Sequence, residues 1–276
     1  MLDSYFFVPG DKQKYLNKIT DIKSTYIVID LVDAVALKSK KDAFDMVMSI
    51  SFRDHYFVRI PFFENCYSEQ QLIQLINHSN GKIVIPKLKD ATEIIQIKNL
   101  LPGLNLKSII LIENPLCFLN LPDILKSFSS QIHAIGFGCH DFCSLMGIKR
   151  NLENLLQYKR ELVLYAKAFN IAYVDGVDLN LNDFQQFREE CLTAFNIGAD
   201  GKFLIHPTQL NELYDVKYLS ETDLRELKYV YGKIKNISDN DMEVHIIDGK
   251  IYEKPHILRI KALMNKMLNI NNLLNQ

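Results

Sequence analysis

Along the chain, short apolar runs alternate with stretches of helical periodicity. Eight runs stand out: SYFFVP (4–9), TYIVIDL (25–31), HYFVRIP (55–61), KIVIPK (82–87), SIILIEN (108–114), HAIGFG (133–138), AYVDGVD (172–178) and KFLIHP (202–207). They are apolar on both parities rather than alternating, the pattern of parallel strands covered by helices. Between them, Leu72, Ile73, Leu75 and Ile76 share one helix face, as do Ile94, Ile95, Ile97, Leu100 and Leu101. Residues 151–169 form the clearest helical stretch, with Asn151 as its N-cap, and Asp90 reads as the cap of another.

This beat predicts an α/β fold, a (β/α)8 TIM barrel over residues 1–207. A doubly wound sheet is the alternative, but no strand is followed by the Gly-rich phosphate turn of nucleotide-binding sheets. After Pro207 the beat fails. Residues 208–236 read as helical, 238–256 as polar and turn-rich, and 257–274 as a last amphipathic helix. Residues 208–276 are expected to form a C-terminal helical extension, packed on the barrel or on a neighbouring subunit.

Composition narrows the classes. Of 276 residues, 48% are apolar and 24% charged, and the net charge is −1. That balance suits a soluble enzyme and gives no basic surface for nucleic acid or an anionic membrane. No run approaches the roughly 18 apolar residues of a membrane span. The N-terminus has an acid at Asp3 and a Pro-Gly break in place of a basic leader, so a cytoplasmic chain is expected. The five cysteines are odd in number and scattered, as reduced thiols would be.

Candidate chemistry gathers where strands stop. In a barrel, the carboxyl ends of the strands converge on the functional face. There the chain places Asp30 and Asp33, Arg59, Lys87, Glu113, His140 and Asp141, Asp175 and Asp178, and His206. Glu113 and Asp141 follow neighbouring strands, and two carboxylates at an apolar mouth repel unless a cation lies between them. Mg²⁺ suits such a place, because it takes one or two carboxylates and completes its shell with water and substrate oxygens. Arg59 could grip a substrate carboxylate with two N–H groups. Taken singly, a strand-end acid is more often a cap or loop residue than a ligand, and Lys87 could simply pair with an acid inside the barrel. Cys139, His140 and Cys143 have the short spacing of soft metal ligands, but no second Cys/His pair follows to complete a zinc site.

The segments FFVPGDKQKYLNKI, YIVIDLVDAVALKSK, FVRIP, IVIPK, ILIENP, GFGCHDF, GADGKFLIHPTQL and DGKIYEKPH fall in the order and spacing of a known family. The chain resembles the citrate lyase β-subunit-like family of the HpcH/HpaI aldolase group over nearly its whole length. The resemblance implies a TIM barrel, a homotrimer with bound Mg²⁺, and a carbon–carbon lyase acting on citryl-, malyl- or citramalyl-CoA and releasing a 2-oxo acid. It places the metal carboxylates on Glu113 and Asp141 and the substrate-carboxylate arginine on Arg59. Lys12 falls near the CoA site. Lys40 and Asp30 fall among the substrate-binding groups, and Asp33 among the catalytic ones. The acid/base group, reaching into a neighbouring subunit's site, falls on Glu253. Three positions depart from the family pattern: Val32 stands for a Glu, His140 for a Glu, and Glu253 for an Asp. These departures leave two alternatives, a CoA-independent metal-dependent aldolase on 2-oxo acids and a non-catalytic oxaloacetate- or pyruvate-binding protein.

Overall fold

The structure, a computed structural model, describes residues 1–238 and 244–275. Eight parallel strands close in sequential order: β1 (Asp3–Pro9), β2 (Tyr26–Asp30), β3 (Tyr56–Arg59), β4 (Lys82–Ile85), β5 (Lys107–Ile112), β6 (Ile132–Phe137), β7 (Ala172–Asp175) and β8 (Gly201–Leu204). β8 pairs with β1, placing Phe203 beside Tyr5 and completing the cylinder. The fold is the TIM barrel that the sequence predicts, with helices in each β-to-β connection.

The interior is filled by residues of one parity on each strand, among them Tyr5, Val28, Phe57, Val84, Leu111 and Phe203. Large rings on β1, β3 and β8 need small partners, and β6 supplies Ala134 and Gly136. A Cβ on Gly136 would lie 2.5 Å from the Phe203 ring. Each buried ring contributes roughly 2–3 kcal/mol of transfer free energy. At the amino end of the barrel, Tyr5 stacks on Tyr26 with centroids 4.5 Å apart, and its hydroxyl meets His133 Nε2 at 3.1 Å. Burial holds the Tyr5 hydroxyl well above its ordinary pKa, so it stays protonated. Residues of the other parity, such as Ile27, Ile29, Ile110 and Ile135, are fully buried beneath the helical layer. Most strand positions are thus apolar on both faces, which is why the runs show no alternation.

Local chemistry starts the helices. Asp90 accepts from the N–H groups of Thr92 and Glu93 and opens Ala91–Leu100. Asn114 accepts from Cys117 N and opens Pro115–Phe128. Asn151 accepts from Asn154 N and opens Leu152–Ala168. Orphan N–H groups of the first turn are satisfied this way.

The chain divides into two compact units, Leu2–Tyr214 and Asp215 onward. The stretch expected to be helical at 208–236 is two helices, Pro207–Asp215 and Glu221–Ile234, the second restarted by the N-cap Ser220. In the smaller unit, Val230, Ile234 and Ile257 form a core between Glu221–Ile234 and the last helix, Lys254–Asn275. The turn-rich stretch contains a hairpin, β9 (His245–Ile247) and β10 (Lys250–Tyr252). Its turn residues Asp248 and Gly249 both have positive φ, 50° and 78°, as an Asp-Gly hairpin turn requires. Residues 239–243 of that stretch lie outside the described residues. Among the described residues, no helix is long and apolar enough to cross a membrane. All five cysteines are free.

Candidate active site at the carboxyl end of the barrel

A cavity of ≈ 390 Å³ opens at the carboxyl ends of the strands. Its walls are apolar, with Phe7, Leu111, Phe137 and Phe203 among them, and its polar groups are Asp30, Asp33, Arg59, Glu113, His140 and Asp141.

Arg59, the last residue of β3, is the centre of this group. The register sets it beside Asp30, the last residue of β2. Its Nη1 lies 3.3 Å from Asp30 Oδ2, and its Nη2 lies 2.7 Å from Asp33 Oδ2 and 3.0 Å from Glu113 Oε1. Burial alone would lower its pKa, but the charges of Asp30, Glu113 and Asp33 raise it, so the guanidinium is permanently cationic. Three acids occupy part of its five-donor fork, and the buried Nε has no partner among the described residues. Arg59 therefore neutralises acids as much as it offers N–H groups. A fully open fork is not what the structure shows.

Glu113 follows β5 directly. One oxygen meets Arg59, and the other accepts the backbone N–H of Lys87 at 2.8 Å. Lys87 makes this bond from the left-handed region, φ 55°, an uncommon state for a residue with a Cβ. Burial pushes the Glu113 carboxyl up, Arg59 and the Lys87 N–H oppose this, and the nearby Asp141 and Asp33 push it up again, to about 7. Asp141 sits in the first turn of Cys139–Met146 and is exposed, and its side chain takes part in no hydrogen bond or ion pair among the described residues. Gly138 lets the two carboxylates share this corner: a Cβ there would fall 2.2 Å from Glu113 Cγ. The donor set tests the metal expectation. It offers two carboxylates, and among the described residues no group of three or more His, Cys, Asp or Glu is placed to hold a metal ion. That is a fit for Mg²⁺, which needs only one or two protein carboxylates, and a misfit for a closed zinc site. Cys139 and Cys143 are buried thiols. Burial raises the pKa of both, so neither is a ready thiolate.

Other strand-end residues lie elsewhere. Lys40 is buried and donates to the carbonyls of Leu31 (2.6 Å) and Val32 (2.9 Å), bracing the turn that carries Asp33. It does not line the cavity. Lys12 is exposed and pairs with Asp11 at 3.0 Å. Asp175 faces outward from β7 and pairs with Lys159 (2.9 Å) and Lys202 (3.1 Å) behind the barrel wall. Asp178 is buried near Arg150. His206 caps Pro207–Asp215, its Nδ1 accepting from Thr208 N. Glu253 belongs to the smaller unit, where it is exposed and its carbonyl accepts from Ile257 N at the start of the last helix. The Lys87 ammonium pairs with Glu64 at the rim and also lies 3.7 Å from Asp33 of the cavity. Three features carry no simple sequence signal: the Gly138 cradle, the Lys87 backbone donor and Glu64.

A family model described as HpcH/HpaI aldolase/citrate lyase matches residues 3–207. A (3S)-malyl-CoA thioesterase of Cereibacter sphaeroides is 26% identical over 270 residues, covering 95% of this chain and 93% of its own. A citrate lyase subunit beta of Leuconostoc mesenteroides subsp. cremoris is 25% identical, covering 97% and 93%. Among solved structures, CitE from Mycobacterium tuberculosis in complex with magnesium, acetoacetate and coenzyme A aligns with a TM-score of 0.73 at 19% identity, covering 95% of this chain and 98% of that one. At that identity the likeness is one of fold.

Proposed function

This chain belongs to the HpcH/HpaI aldolase/citrate lyase family, and from that premise we propose that it is a Mg²⁺-dependent carbon–carbon lyase of a 3-hydroxyacyl-CoA thioester of the citryl-, malyl- or citramalyl-CoA type. The observation that carries the reading is the buried Glu113 carboxylate facing the unpaired Asp141 beside Arg59 at an apolar mouth. Glu113 and Asp141 would hold the cation. When bound, Mg²⁺ supplies positive charge where the keto oxygen of the 2-oxo acid develops.

The chain's own groups account for the rest. Arg59, which lines the cavity, offers the substrate carboxylate the Nη–H groups that its acids leave over, while Asp30 and Asp33 fix the guanidinium plane. Phe7, Leu111, Phe137 and Phe203 keep water from the reacting carbons. In this reading the hydroxyl passes its proton to the Asp33 carboxylate, its O–H electrons form the keto C=O as the bond to the thioester α-carbon breaks, and the resulting enolate takes a proton. Glu253 of a neighbouring subunit in a homotrimer is the proton donor in this reading, and Lys12 lies toward the CoA.

Incubation with a panel of hydroxyacyl-CoA thioesters tests the reading. A 2-oxo acid is expected with Mg²⁺ and none with EDTA, and Glu253→Ala is expected to slow turnover on the order of 100-fold, the loss a small misplacement of a reacting group produces. Release of free CoA with the hydroxy acid intact would sink it. That outcome would establish a second reading, thioester hydrolysis, which the malyl-CoA thioesterase relatives favour. Cleavage of free 2-oxo acid adducts would instead mark a CoA-independent aldolase.

A further inference from the structure

Outside the cavity, three charged side chains from three successive β-to-β connections meet at its rim, Lys40 at the start of the helix Lys40–Ser49. Glu64, on the loop after β3, takes the Lys87 ammonium with one carboxylate oxygen and lies 3.8 Å from the Lys40 ammonium with the other. Neither Glu64 nor Lys87 lines the cavity. Yet the Lys87 ammonium is 3.7 Å from Asp33 Oδ1, and the Lys87 backbone N–H bonds Glu113. The ammonium thus has a choice of partner. On one side is Glu64, outside the site; on the other is Asp33, which serves Arg59 within it.

We infer that Glu64 is a positioning residue that keeps the Lys87 ammonium at the rim, where it also reaches Asp33, and back from Glu113 and Asp141. The inference rests on the reading that Glu113 and Asp141 bind Mg²⁺. The argument is one of charge. Paired with Glu64, Lys87 presents a neutral dipole to the site. Without Glu64 it presents an uncompensated positive charge, free to close on Asp33 and move toward Glu113, where it repels a dication. A unit charge at the distances of this rim changes dication affinity by roughly five- to tenfold when water screens it. The backbone bond from Lys87 to Glu113 needs no side chain, so the charge can be removed without removing that bond.

The test is isothermal calorimetry of Mg²⁺ binding to the full chain, with melting temperature measured in parallel. Glu64→Gln is expected to weaken binding about five- to tenfold, and Lys87→Met to tighten it or leave it unchanged. The double variant Glu64→Gln/Lys87→Met is expected to return to within about threefold of the unaltered protein. A merely structural role for Glu64 would lower the melting temperature and would not be rescued by Lys87→Met. A double variant as weak as Glu64→Gln overturns the inference and leaves the metal reading standing. If the unaltered protein binds no Mg²⁺, and Glu113→Gln therefore changes nothing, the reading falls and the inference with it.

Discussion

Gly138 decides whether Glu113 can stand where it does. A methyl group at that position would sit 2.2 Å from Glu113 Cγ, inside any allowed contact. Gly138→Ala should therefore displace the carboxylate and reduce Mg²⁺ affinity at least tenfold, read by calorimetry, while far-UV circular dichroism stays that of a folded barrel. Arg59→Lys makes a complementary prediction. A lysine brings three donors in no fixed plane, too few to serve Asp30, Asp33, Glu113 and a substrate carboxylate together. Calorimetric affinity for a 2-oxo acid such as pyruvate should fall more than about tenfold. Arg59, Glu113, Asp141, Asp30 and Asp33 were legible in the sequence because each stands at or just past the end of an apolar run. Asp175 was not, because these runs are apolar on both faces, and nothing in such a run says which parity faces the cavity. Asp175 takes the outward one. The Lys87 donor was illegible for another reason: a backbone N–H has no letter of its own.

At the scale of the element, Asn114 joins two structures. Its side-chain oxygen caps Pro115–Phe128, and its Nδ2 donates to Leu88 O at 2.8 Å, holding the loop that carries Lys87. Asn114→Ala should destabilise the protein by about 1–2 kcal/mol in urea unfolding, the usual range for a lost cap. Asn114→Asp keeps the acceptor and loses the donor to Leu88. It should recover most of the stability while leaving Mg²⁺ binding weakened, which separates capping from loop support. Elements were read well where caps and turns have specific residues. The caps Asp90 and Asn151 and the eight strands stand where their side chains place them, and strand ends shifted by no more than three residues, most at the carboxyl ends of β7 and β8. The helical stretch at 208–236 was read as continuous because its apolar spacing persists across the break, and only the Ser220 cap divides it.

For the whole molecule, the charge cluster behind β7 and β8 sets the pH range of stability. Burial alone would raise the Asp175 carboxyl, but Lys159 and Lys202 hold it well below the usual carboxylate range. A carboxyl lowered on folding stabilises the native state above its unfolded value of about 4, and that contribution drains away as the pH falls further. Burial would likewise lower Lys202, but Asp175 and Glu190 raise it above the ordinary lysine value. Its contribution is complete below about pH 10.4 and is lost on the alkaline side. The cluster's own contribution to the urea midpoint should therefore be complete between those limits and fall on both sides, while Glu113, pushed up to about 7 on folding, subtracts stability as the pH climbs from about 4 to 7. Asp175→Asn leaves two buried ammonium groups short of a counter-charge, and should lower stability by about 3–5 kcal/mol at neutral pH.

The pairing of β8 with β1 also shapes the life of the nascent chain. The first strand has one neighbour, β2, soon after it leaves the ribosome, but its second partner is Gly201–Leu204. Until those residues emerge, both outer strands of the growing sheet show unpaired amide groups to solvent or to one another's copies, an invitation to edge-to-edge association. Any truncation upstream of Leu204 makes that interval permanent.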